Sequence, residues 1–194
     1  MSFPNKWASA FVLSLVSVIL LSGCSINVKK NNDGEDKNVD INTPMGGIHV
    51  SNDADARDTG LPVYPGARLK PKDNDGDEKS ANVNISGFGF GVKVVAVEYT
   101  SDDPPTKLIA FYQDQLKKFG NVLQCHSSGH VNYAHPSDGN ESKQLKCEGD
   151  NTGKNVELKA GTEDNQHIVA IGPEGNGSTL ALVYVRTHGK ESSI

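Results

Sequence analysis

Cysteine is scarce in this 194-residue chain: there are three, Cys24, Cys125 and Cys147, and no two stand in a C-x-x-C spacing. A dithiol redox motif or a cysteine-framed zinc site therefore has no footing here. Basic charge is also short, with 19 Lys and Arg against 24 Asp and Glu and a net charge of −5. Phosphate backbones call for a basic face, so nucleic acid is not an expected partner. Attraction to an anionic lipid surface by charge is unsupported for the same reason. No apolar run reaches the roughly 18 residues of a membrane-spanning helix, and no long-period repeat is present. The catalytic signatures H-E-x-x-H and G-x-S-x-G are missing, as is the P-loop.

What is present begins at the N-terminus. Lys6 is the one charged residue before a 14-residue stretch, Ala8 to Leu21, that is apolar apart from Ser9, Ser14 and Ser17. That length suits the apolar region of an export signal. Leu21-Ser22-Gly23-Cys24 follows. Small residues alone suffice for ordinary secretory cleavage, whereas a cysteine at this point resembles the lipobox of bacterial lipoproteins. The resemblance implies diacylglyceryl and N-acyl chains on Cys24, cleavage in front of it, and attachment to the cell envelope through those chains. Ser25, rather than aspartate, after the cysteine resembles outer-membrane sorting, which implies the periplasmic face of the outer membrane. Each acyl methylene buried contributes about 0.8 kcal/mol, and anchors with more than one chain are stable. Removing residues 1–23 takes away Lys6 and no acid, moving the charge from −5 to −6 and leaving 171 residues. That length suffices for one domain with its own core.

With Cys24 committed to lipid, Cys125 and Cys147 remain as an even pair in an oxidising compartment, and a disulfide is expected. Leu123-Gln124-Cys125 and Leu145-Lys146-Cys147 share one alternation, so that on strands each leucine and cysteine would face the same side. Such a bridge should stabilise the fold by about 3 kcal/mol in the chain-entropy model.

Three parts follow: a signal peptide over 1–23, a polar tether with a short β-hairpin over 24–59, and an α+β domain over 60–194. The tether is read from Ser25 to about Lys37, where Asn31 to Asp36 is polar throughout. The hairpin is read from the alternating segments Asn38–Asn42 and Gly47–Ser51 around Thr43-Pro44-Met45-Gly46. In the body, strand patterns cover Ala81–Ser86, Val92–Thr100, Asn121–His126, Gln144–Glu148, Asn155–Ala160, His167–Ile171 and Thr179–Thr187. Between the second and third lies a helix, Thr106 to Phe119. Its apolar residues Leu108, Ile109, Phe111, Tyr112, Leu116 and Phe119 fall within about 160° of a helical wheel. The expected fold is α+β: a twisted antiparallel sheet with one main amphipathic helix packed on one face, plus the N-terminal hairpin.

The segments Val63-Tyr64-Pro65-Gly66-Ala67 and Tyr99-Thr100-Ser101-Asp102-Asp103, followed by Phe111-Tyr112 and Leu116, resemble an uncharacterised group of exported bacterial proteins. In that group a "YPGA" segment precedes a strand and a helix carrying F-Y-x-x-x-L. The resemblance covers residues 61–120 and implies an envelope protein with no assigned activity.

Candidate chemistry is sparse. His126, His130 and His135 could converge as zinc ligands if their loop folded back, or could be solvated loop histidines. The acidic run Asp73 to Glu78 fails the calcium-loop pattern, because counting back from Gly76 puts Pro71 at the first ligand position. Gly87 to Gly91 precedes a valine-rich strand and suits a hairpin turn better than a phosphate cradle. No cofactor is expected beyond the covalent lipid. The sequence thus points to a non-catalytic binding or scaffolding module of the envelope, with a protein or small ligand as partner. The alternatives are a metal-dependent hydrolase built on the three histidines and a structural protein that self-associates through the Asn38–Ser51 hairpin.

Overall fold

The computed structural model describes residues 24–30, 36–71, 80–87, 89–128, 144–148 and 151–188. The expected signal segment lies outside them. Within them the chain is mostly antiparallel sheet with one helix, an α+β class. The strands are β1 (Ser25–Lys30), β2 (Asp36–Thr43), β3 (Gly46–Ser51), β4 (Arg68–Leu69), β5 (Ser80–Gly87), β6 (Phe90–Ser101), β7 (Leu123–Ser127), β8 (Asn155–Thr162), β9 (Asn165–Glu174) and β10 (Gly177–His188). Helix α1 (Pro105–Leu116) continues into a 3-10 turn, Lys117–Phe119. The sheet order is β1-β2-β3-β5-β6-β10-β9-β8-β7, with β4 paired to β6.

Side chains on a strand alternate between faces, so register decides which residues meet. Here the pairing aligns two apolar rungs. Ile26, Ile41, Ile48, Ile85 and Val92 run side by side across β1, β2, β3, β5 and β6. Two residues along, Val28, Val39, Val50, Val83, Val94 and Val185 form a second rung that reaches β10. Between them, on the opposite face, lies the polar rung Asn27, Asp40, His49, Asn84, Lys93 and Arg186. A slip of one residue would exchange the two faces, so the uniform chemistry of each rung fixes the register.

The main core lies between α1 and the other half of the sheet. Leu108, Tyr112 and Leu116 stand at i, i+4 and i+8 of α1 and are fully buried, in one cluster with Val156, Leu158, Val169, Ile171, Leu180 and Leu182. Pro104 and Pro105 set the start of α1 with fixed φ, and Gly120 follows its last turn. The helix joins central β6 to edge strand β7. A second, smaller cluster of Ile168, Ala181, Val183 and Val185 occupies the reverse face of β9 and β10.

Three segments differ from the sequence reading. Ser25–Lys30, read as tether, is strand β1, because its Ile26 and Val28 extend the two rungs by one more strand. Gln144–Glu148, read as a strand, has no ladder partner and runs as irregular chain. Asn52–Thr59, within the 24–59 part read as tether and hairpin, contains a 3-10 turn, Ala56–Thr59, capped reciprocally by Asp55 and Asp58, with Ala56 and Thr59 buried.

Candidate functional site

Cys24 directly precedes β1. It is exposed and is the only cysteine outside a disulfide. Ser25, the next residue, already pairs with Asn42 of β2. The thiol therefore sits at one end of the sheet with no intervening linker.

The disulfide joins Cys125, buried on edge strand β7, to Cys147, with a Cα–Cα distance of 5.4 Å. It ties the irregular 144–148 segment to the sheet edge, where Cys147 Sγ lies 3.7 Å from the Gln124 carbonyl. Beside it on β8 are two charged residues that alternation alone assigns to solvent, Glu157 and Lys159, only 7% and 5% exposed. Lys159 Nζ lies 3.4 Å from Glu157 and 4.0 Å from Glu148. Burial pushes the Glu157 carboxyl up from its ordinary value, and Lys159 partly offsets that. A buried ion pair of this kind adds little net stability, because desolvating both charges offsets their attraction.

His126 lies on β7 opposite Val156, and its backbone N–H donates to Asn151 Oδ1 at 2.7 Å. His130 and His135 lie outside the described residues. Among the described residues, no group of three or more His, Cys, Asp and Glu could hold a metal ion.

One histidine that the sequence reading passed over is integral to the fold. His167 stacks on Phe119 with ring centroids 3.5 Å apart and planes 10° from parallel, and tilts against Tyr184 at 5.0 Å. Its Nδ1–H donates to the Thr59 carbonyl at 2.8 Å. Burial holds the imidazole below its ordinary pKa, which the Thr59 contact partly opposes. The alternating pattern of β9 marks position 167 as inward-facing, and that was the available signal.

The residues quoted for the "YPGA" resemblance meet in space. Tyr64 Oη donates to Asp103 Oδ2 at 2.8 Å, and the Tyr64 ring meets Phe111 edge-on at 5.2 Å. Phe111 in turn meets Tyr112 edge-on at 4.9 Å, and Tyr112 Oη donates to the Pro62 carbonyl at 3.1 Å. Lys107 Nζ donates to Asp103 at 2.7 Å, and Ser178 Oγ donates to the Asp103 carbonyl at 2.8 Å. Together these contacts lock the segment before β4 onto the first turns of α1. A shallow cleft of about 330 Å³ adjoins this joint, lined by Arg68, Thr100, Ser101, Asp102, Glu174 and Gly177 among others. Its Arg68 guanidinium is engaged by Asp102 through two 2.8 Å hydrogen bonds. A second cleft of about 450 Å³, near the end of α1, is lined by Gln113, Asp114 and Lys117 among others. Neither lining combines a nucleophile with a histidine base.

Among the described residues no helix is long and apolar enough to cross a membrane. No protein-family model matches the chain, no curated protein matches its sequence, and no solved structure matches its fold.

Proposed function

We propose that this chain is a lipid-anchored cell-envelope protein whose body binds or scaffolds another envelope component without catalysing a reaction. The observation that carries this reading is Cys24. It follows a short apolar leader in sequence, is exposed, has no disulfide partner, and stands at the head of the sheet. Diacylglyceryl and N-acyl chains on that residue supply the attachment, and Ser25 after it favours the periplasmic face of the outer membrane. In this reading α1 is the amphipathic cover of one sheet face, and the Asn38–Ser51 hairpin extends the sheet outward.

The test is acylation in a bacterial host. Growth with labelled palmitate followed by intact-mass measurement of the membrane-extracted protein should show label and the added lipid mass. Cys24→Ser should lose the label and accumulate the uncleaved precursor. Equal labelling of Cys24→Ser would sink the anchor. For the binding role, crosslinked envelopes should yield a protein enriched over an unrelated lipoprotein.

A further inference from the structure

The end of the sheet that carries Cys24 has a chemistry of its own. Register brings four chain segments to this end: Cys24 directly before β1, the turn from Thr43 to Gly46 between β2 and β3, Gly87 paired with Phe90 where β5 meets β6, and His188 of β10 opposite Gly91. Met45 is 64% exposed, Ile26 68% and Phe90 49%, and Ile48 and Ile85 of the adjoining rung are also exposed. Further along, the same face closes up toward β10: Val28 on the outer strand is still 41% exposed, but Val50, Val83 and Val94 are only partly exposed, and Val183 and Val185 are buried. Exposure of apolar side chains is thus concentrated where the thiol is.

Charge is excluded from the same place. Among the described residues 24–27, 41–48, 84–87 and 89–92 there is no Asp, Glu, Lys or Arg, in a chain that is 22% charged overall. Strands lie about 4.8 Å apart, so β1, β2, β3, β5 and β6 put the whole apolar edge within about 20 Å of Cys24. Contiguous exposed apolar surface of this kind marks a contact site.

We propose that this end of the sheet docks directly into a lipid bilayer, with Met45 and Phe90 as the penetrating tips and Ile26, Ile48 and Ile85 at the apolar boundary. The inference rests on the lipoprotein reading of Cys24 and changes its geometry. Because Ser25 is already in β1, no tether lifts the body away. Acyl chains on Cys24 draw this end to the surface, and its uncharged tips enter without desolvating an ion. The partner is the apolar bilayer itself and not an anionic headgroup, since the protein is acidic overall. A second copy stacking face to face would need the whole second rung open, and there Val39, Val50, Val83 and Val94 are only partly exposed.

The test uses tryptophan as a depth probe. The chain has one tryptophan, Trp7, so a Trp7→Phe background makes Phe90→Trp or Met45→Trp the sole emitter. Leu69→Trp is the control: Leu69 is 59% exposed and pairs with Tyr99, about 30 Å along β6 from Phe90. Membrane-extracted protein is reconstituted into neutral phosphatidylcholine vesicles whose acyl chains carry mid-chain bromine. The expected result is a blue-shifted emission at positions 45 and 90, with bromine quenching several-fold larger than at position 69. Equal quenching at all three positions in folded protein overturns the proposal. So does a blue shift that needs no vesicles and grows with protein concentration, which would indicate a second copy. Intact mass reads acylation separately. If the lipid is absent, coupling the Cys24 thiol to a maleimide-bearing phospholipid restores the tether, and the same quenching decides the docking geometry alone.

Discussion

Tyr64 donates its hydroxyl to the Asp103 carboxylate across 2.8 Å, joining the segment before β4 to the loop that starts α1. Lys107, one turn into the helix, donates to the same carboxylate, so two donors hold it ionised. The Asp103 carboxyl accordingly sits below the ordinary value of 3.8, with Lys107 the larger cause and Tyr64 the second. Tyr64→Phe keeps the edge contact with Phe111 and removes only the hydroxyl. Carboxyl titration followed by NMR should show Asp103 moving up toward 3.8 in Tyr64→Phe, and further in Lys107→Met. An unmoved Asp103 in both variants would refute the joint.

Leu158 is fully buried at the centre of the cluster beneath α1. Truncation there removes transfer energy and leaves a cavity, so Leu158→Ala should destabilise the protein by roughly 2–5 kcal/mol in a urea melt. Ile26→Ala, at an exposed position on β1, should change stability by less than about 0.5 kcal/mol. Similar losses at the two sites would contradict the core as described.

The disulfide closes a separation of 22 residues and holds a segment that has no ladder of its own. Replacing Cys125 and Cys147 together with serine should lower stability by about 3 kcal/mol. Limited proteolysis should then begin within 144–148. A double variant that melts with the parent, and is cut no faster there, would show the bridge to be dispensable.

His167 predicts an acid-side loss of stability. Its folded pKa is depressed below 6.5 by burial, so the unfolded chain binds the proton more readily. Stability from this group is therefore complete above 6.5 and falls as pH drops from there toward the lowered folded value. Glu157 slopes the other way: its folded pKa is raised above 4.5, so its contribution is lost as pH rises through that range. Glu157 remains unchanged in His167→Phe. Denaturation midpoints across pH 5–8 should therefore fall less steeply on the acid side in His167→Phe than in the parent. Parallel curves would rule out the histidine as the source.

The α+β class and the Cys125–Cys147 bridge were legible because each leaves a local mark. Period-two alternation separates Val92–Thr100 from the 3.6-residue pattern beginning at Thr106, and two cysteines remain once Cys24 is set aside. Strand β1 was missed because six residues that end in Lys29-Lys30 and run on into Asn31-Asn32-Asp33 look solvated until the Ile26 and Val28 rungs appear, and a rung exists only once five strands are aligned. Gln144–Glu148 erred in the opposite direction. Alternation there reflects one covalent bond to β7 and not a ladder. The burial of Glu157 and Lys159 was invisible for a related reason: alternation tells which face a residue is on, not whether another part of the chain covers it.

Strand β10 is the last of the described strands in sequence but lies at the centre of the sheet, paired along β6 from Ser101 to Gly91 and along β9 from Glu174 to Asn165. Among the described strands, the ladder from β1 to β6 and the ladder from β9 to β7 meet only through it. The two halves therefore wait on Gly177–His188. A growing chain can form the hairpins of either half early, yet the seam between them stays open until His188 is available. Assembly then depends on pairings of high sequence separation, which form slowly. A chain stopped short of β10 is left as two sheets, each with a raw central edge.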